Sequence, residues 1–145
     1  MLATLYGRIL IPNAVYEEVV SQGAGRWGAG ETAAAVWVDR LAIADPSKST
    51  SLQAFLGRGE SEVIVLAEDL KADVVIMDES AGRRELSKRN IAVVGTIGIL
   101  LQAKLRGLLP FIKPELERLR SCGFHLLALV WSESRPDAYS CPLPS

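Results

Sequence analysis

Four consecutive apolar residues, Val74-Val-Ile-Met77, end at Asp78 and follow a segment of helical periodicity. A strand with one wet face alternates polar and apolar residues. An unbroken apolar run instead suits a strand covered on both faces, as in a parallel sheet flanked by helices. Residues 8–11 (Arg-Ile-Leu-Ile) and 91–94 (Ile-Ala-Val-Val) are further short apolar runs, and residues 41–43 are a shorter candidate. Between them lie helical stretches. Residues 12–20 begin with Pro12, which suits a first helical position, and carry the stripe Val15, Val19 and Val20. Residues 60–71 keep Val63, Ile64, Ala67 and Leu70 on one face. Residues 32–41, 80–88, 96–106 and 114–121 read as helices too. This alternation predicts an α/β fold: three layers, α/β/α, around a central parallel sheet of three or four strands. Residues 21–30 and 45–51 read as loops, and residues 124–131 fit either helix or strand. The expected organisation is one domain over residues 1–131 and a tail over 132–145.

The chain of 145 residues has the length of about one domain. Its 16 basic and 17 acidic side chains give a net charge of −1, which argues against a strongly cationic nucleic-acid or membrane binder and leaves room only for a local basic patch. Cys122 and Cys141 are too far apart for a zinc pair and too few for a disulfide scaffold, so they fit a reducing cytoplasm. The longest uncharged apolar stretch, residues 91–101, would span about 16 Å as a helix, half of what a bilayer core needs. No signal peptide is visible at the N-terminus.

Ligands of open parallel sheets bind beyond the carboxyl ends of the strands. Asp78 falls there directly. Glu60 starts a helix of about 12 residues, or roughly 18 Å, and the following strand climbs back a similar height, so both carboxylates are expected on one rim. Glu18, about six residues into the helix after the first strand, can reach the same rim. Glu62 lies about 200° around the helix from Glu60 and is the lesser candidate. Three carboxylates without an evident basic partner suit a hard cation, Mg²⁺ or Mn²⁺, which can activate water and neutralise a phosphodiester. Each residue also has a plainer reading. Glu60 suits a helix dipole, Asp78 suits an N-cap of the next helix, and Glu18 suits a solvated helix face. Arg83, Arg84, Lys88 and Arg89 suit a solvated basic face. His125 lies in an apolar run and suits a packed side chain.

The motifs Ile11-Pro-Asn-Ala-Val-Tyr-Glu-Glu-Val19, Leu56-Gly-Arg-Gly-Glu-Ser-Glu62, Ala72-Asp-Val-Val-Ile-Met-Asp78 and Val94-Gly-Thr-Ile-Gly-Ile-Leu-Leu101, in that order, resemble a PIN domain over about residues 1–125. The resemblance implies a small α/β/α nuclease that cleaves RNA with Mg²⁺ or Mn²⁺, often the toxin of a toxin–antitoxin pair. It assigns Glu18, Glu60 and Asp78 as the acidic catalytic and metal-binding residues, with Glu62 and Thr96 as secondary candidates. The family's first strand, ending in an aspartate, has no counterpart here. The chain is therefore expected to be an N-terminally truncated PIN-like domain, with impaired metal binding and an exposed strand gap. A homodimer is expected, with residues 124–131 as a candidate exchanged segment. The rival expectation is an inactive PIN-like module that binds an antitoxin-like partner. A receiver-like phospho-acceptor domain is a third reading. It fails because such domains carry an acidic pair after the first strand, where this chain has Pro12-Asn13.

Overall fold

The computed structural model describes residues 5–21, 37–122 and 127–130. Strand β1 (Ile9–Pro12) leads into the short helix α1 (Asn13–Tyr16), which continues as a π-helical turn over Glu17–Ser21. Pro12 thus closes the strand and caps the helix, one position earlier than expected. Strand β2 (Val38–Leu41) follows, where the sequence suggested the end of a helix. Val38 and Leu41 are half-buried and Asp39 is buried, which suits a strand at the sheet's margin.

Residues 45–51, expected as loop, contain helix α2 (Pro46–Leu52). Asp45 accepts hydrogen bonds from the Ser47 amide at 3.0 Å and the Ser47 hydroxyl at 2.6 Å, and Pro46 takes a first-turn position. These are helix start signals in a segment whose composition alone reads as loop. Helix α3 (Arg58–Leu70) is the packing centre, with Val63, Ile64, Leu66 and Ala67 fully buried. Each large apolar side chain buried there contributes roughly 1.5–3 kcal/mol. It stops at Lys71, whose backbone turns left-handed (φ 53°) while the Ala72 amide closes on the Ala67 carbonyl at 2.9 Å. Strand β3 (Val74–Ile76), helix α4 (Ser80–Lys88), strand β4 (Val93–Val94), helix α5 (Thr96–Leu105), helix α6 (Lys113–Cys122) and strand β5 (Ala128–Val130) complete the described chain.

The sheet has five strands in the order β2-β1-β5-β3-β4. The pairs β1–β2 and β3–β4 are parallel, as expected. The purely parallel sheet is corrected by β5, which lies between β1 and β3 and runs antiparallel to both. Its register is Leu10↔Leu129 on one side and Val75↔Leu129 on the other. The place between the two parallel strand pairs is taken by residues 128–130 of the same chain. The residues proposed as a C-terminal tail, 132–145, and His125 lie outside the described residues.

Candidate functional site

Because β1 and β3 both oppose β5, the strands β1 to β4 point the same way and end on one rim. Asn13 follows β1 on that rim, Asp78 lies just beyond β3, and Thr96 follows β4. Leu127, just before β5, sits there too, since β5 enters the sheet from this end. A cleft of about 390 Å³ opens at the rim, lined by Val15, Glu18, Val19, Glu60, Met77, Asp78, Glu79 and Leu127. The three carboxylates expected from the sequence thus line one cleft. Glu79 is a fourth that sequence reading did not select, although it adjoins Asp78 at a strand end. No lysine or arginine is among these lining residues.

Glu18 reaches the start of α3, where the Gly59 amide donates to its carboxylate. A Cβ at Gly59 would lie 2.9 Å from Glu18 Oε2, so a side chain there would push the carboxylate off this helix turn. Burial raises the Glu18 pKa first, and the neighbouring Glu60 charge raises it further; the Gly59 amide and Arg58 pull the other way. Glu60, in the first turn of α3, folds its carboxylate back over Gly57, and a Cβ there would displace it. Asp78 is exposed and bound on both oxygens by one residue. Its Oδ1 accepts the Thr96 amide at 2.8 Å and its Oδ2 accepts the Thr96 hydroxyl at 2.5 Å. Asp78 is indeed a helix cap, but for α5 across the β3–β4 pair rather than for α4, the next helix in the chain. Gly95 at the α5 N-cap has no side chain to supply, and a Cβ there would lie 2.9 Å from Asp78 Oδ1. Thr96, a secondary candidate from the resemblance, is thus the hydrogen-bond partner of Asp78.

Glu62 points elsewhere. It is buried, accepts the Ala14 amide at 3.2 Å, and lies 3.4 Å from Arg58 Nε. It satisfies an orphan N–H in the first turn of α1 and holds that helix against α3. Glu17 pairs with Arg58 at 2.9 Å, outside the cleft lining.

A family model described as a PIN domain matches residues 1–138. The chain belongs to the PIN-domain family. Comparisons with curated proteins and with solved structures gave no match. Membership ties the chain to nucleic-acid-related and often nucleolytic function, and PIN domains generally depend on a divalent metal. Among the described residues of this PIN domain, no helix is long and apolar enough to cross a membrane.

The donor chemistry of the cleft suits a hard divalent cation, since carboxylate oxygen is what Mg²⁺ and Mn²⁺ prefer. Its geometry does not close into a full protein ligand set. Among the described residues, no three Asp, Glu, His or Cys side chains come close enough to hold one ion. The sheet order supplies a reason. Glu18 follows β1 and Asp78 follows β3, two strand spacings apart, or roughly 9–10 Å. The intervening strand carries Leu127 to the rim, not a carboxylate. Mg²⁺ is commonly held by one or two carboxylates plus waters and substrate phosphate, and the adjacent Glu18 and Glu60 meet that smaller demand.

Proposed function

We propose that this PIN domain is a divalent-metal-dependent endoribonuclease of the toxin–antitoxin type, working in the cytoplasm on Mg²⁺ or Mn²⁺. The observation that carries the reading is the cleft itself: four carboxylates and no cationic side chain among its lining residues, at the carboxyl rim of the sheet. Glu18 and Glu60 would hold the ion, with Asp78 acting from across the cleft. When bound, the ion supplies an activated water and neutralises charge on the scissile phosphodiester. The side chains do the positioning. Gly59 fixes the Glu18 carboxylate through its amide, and Thr96 fixes Asp78 through two hydrogen bonds. We read the fold as the three-layer α/β/α arrangement, carried by one domain over residues 1–131.

We also propose a homodimer. Ile97, Leu101 and Leu105 repeat every four residues along α5 and are exposed, and Leu108 and Phe111 extend the apolar surface beyond it. Such a stripe is costly in water and suits an isologous contact. A light-scattering mass of one chain at micromolar concentration would refute it.

The test of the nuclease is cleavage of a labelled single-stranded RNA with Mn²⁺ and with EDTA. Wild type should cut only with the ion, and Glu18→Gln, Glu60→Gln and Asp78→Asn should each lose at least tenfold in rate. Cutting that persists in EDTA, or in all three variants, would refute the assignment. The second reading, an inactive PIN-like module that binds an antitoxin-like protein, is favoured by the lack of a three-donor cluster among the described residues. Mn²⁺ binding by calorimetry without RNA cleavage would select it.

A further inference from the structure

Arg40 lies on the same rim, one strand away from the cleft. It faces Ile11 across the β1–β2 pair, while the buried Asp39 before it is engaged by Arg8 on the other side of β2. Arg40 Nε donates to Asn13 Oδ1 at 2.6 Å, and its guanidinium carbon lies 4.2 Å from the centre of the Tyr16 ring. Asn13 and Tyr16 are three residues apart on α1, so they share a helix face and grip the same guanidinium. Arg40 is exposed and makes no ion pair among the described residues. One donor is used and one face is covered. The two Nη groups, with four N–H bonds, remain for a ligand.

We propose that Arg40, with Tyr16 and Asn13 as its positioning residues, is a binding subsite for a phosphate of single-stranded RNA flanking the acidic cleft. A guanidinium matches a phosphate in a bidentate way, is always charged, and is more weakly hydrated than an ammonium. The Nε contact and the ring hold the fork in place before the ligand arrives, which lowers the ordering cost of binding. The subsite also lies within reach of a strand bound at the cleft. Tyr16 and Glu18 belong to one continuous helical segment and lie on different sides of it. The separation is about one helix thickness, roughly 10 Å, which a few nucleotides of single strand cover. The proposal rests on the ribonuclease reading for the identity of the ligand, but not on metal binding or on cleavage.

The test is equilibrium binding of a fluorescein-labelled single-stranded oligoribonucleotide by anisotropy, in EDTA, over a range of salt. Arg40→Gln should weaken binding about tenfold, and the slope of log K against log salt should fall by about 0.7, one phosphate contact on a single strand. Arg40→Lys should restore the slope but only part of the affinity, because the charge returns without the planar fork. Tyr16→Phe should bind as wild type, and Tyr16→Leu should weaken binding. Thermal unfolding of each variant separates loss of fold from loss of contact. Unchanged affinity and salt slope in Arg40→Gln would overturn the subsite. If at the same time Asp78→Asn still abolished cleavage, the cleft assignment would stand alone. Wild type that binds no RNA in EDTA and cleaves none with Mn²⁺ would overturn both.

Discussion

Glu62 is the residue on which a ligand role and a structural role diverge most clearly, and its substitution can be worked out in advance. The side chain is buried and accepts the Ala14 amide at 3.2 Å, with Arg58 Nε at 3.4 Å. Glu62→Ala leaves the Ala14 N–H buried without an acceptor, at about 1–3 kcal/mol. Loss of the Arg58 pair adds about 0.2–1 kcal/mol, a small figure because the guanidinium is half exposed. One buried methylene adds about 0.8 kcal/mol. The sum is about 2–5 kcal/mol. Glu62→Gln keeps the shape and an acceptor oxygen for Ala14, but its amide nitrogen faces the Arg58 donor. It should cost about 1 kcal/mol. For a chain of this size each kcal/mol moves the midpoint by roughly 3–5 °C, so Glu62→Ala should melt at least about 6 °C lower and Glu62→Gln about 3–5 °C lower. The measurement is thermal unfolding by circular dichroism in EDTA, which keeps metal linkage out of the comparison. Mn²⁺ titration of Glu62→Gln completes it, with affinity expected within threefold of wild type. A variant that melts like wild type but has lost Mn²⁺ binding would make Glu62 a ligand and refute the reasoning.

Glu18→Gln should change stability in a pH-dependent way. The folded-state pKa is raised above the ordinary value of 4.5 by burial and by Glu60. The protonated form is therefore favoured by folding, its contribution is full below the unfolded value, and it is lost as pH rises through the folded one. Urea unfolding should show Glu18→Gln more stable than wild type at pH 7 and no more stable at pH 3.5; the opposite order refutes the burial argument. Gly59→Ala places a Cβ 2.9 Å from Glu18 Oε2, so it should keep the helix, since alanine favours it, yet weaken Mn²⁺ binding severalfold by calorimetry. Asp78→Asn can retain both contacts to Thr96 as amide acceptor and donor, so it should melt within about 1 kcal/mol of wild type while losing metal-dependent cleavage. A large loss of stability would instead mark Asp78 as chiefly a cap of α5.

Much of this fold was legible because strand and helix periods differ so sharply. The runs around Ile9–Pro12, Val74–Ile76 and Val93–Val94 and the stripe of Arg58–Leu70 stand out in the sequence and in the structure. The misreadings have local causes. Pro46-Ser-Lys-Ser-Thr-Ser looks like loop by composition, yet Asp45 and Pro46 form a start signal strong enough to support a short helix. Val38-Asp-Arg-Leu41 alternates only weakly, so its identity as a strand depends on pairing with β1, which no single segment reveals. The central place of β5 is a long-range pairing of three residues, and nothing in Ala128-Leu-Val130 announces its neighbours or its direction. At the site, spacing brought Glu18, Glu60 and Asp78 to one rim but was blind to distances across it. Glu62 could be set aside from Glu60 by helical phase, whereas its contact with Ala14 spans 48 residues and had no local trace.

The electrostatics of the rim connect these separate features. A phosphate at about 6 Å from a carboxylate is repelled by roughly 0.7 kcal/mol in water and about 3 kcal/mol at an effective dielectric of 20. Four carboxylates line the cleft, so a polyanion cannot enter it without a cation. Of the nearby guanidiniums, Arg58 is paired with Glu17 and Glu62, whereas Arg83 donates to the Met77 carbonyl at 3.1 Å and keeps its charge on the Asp78 side of the cleft. Neutralisation around Glu18 and Glu60 therefore falls to a bound ion; burial, and after it the Glu60 charge, raises the Glu18 pKa. Phosphate recognition by the protein must then sit beside the cleft rather than in it, where a cation is close enough to hold the strand and far enough from the carboxylates to stay unpaired. Arg40 meets both conditions, because the α1 segment stands between it and Glu18, and because Asn13 and Tyr16 hold it without neutralising it.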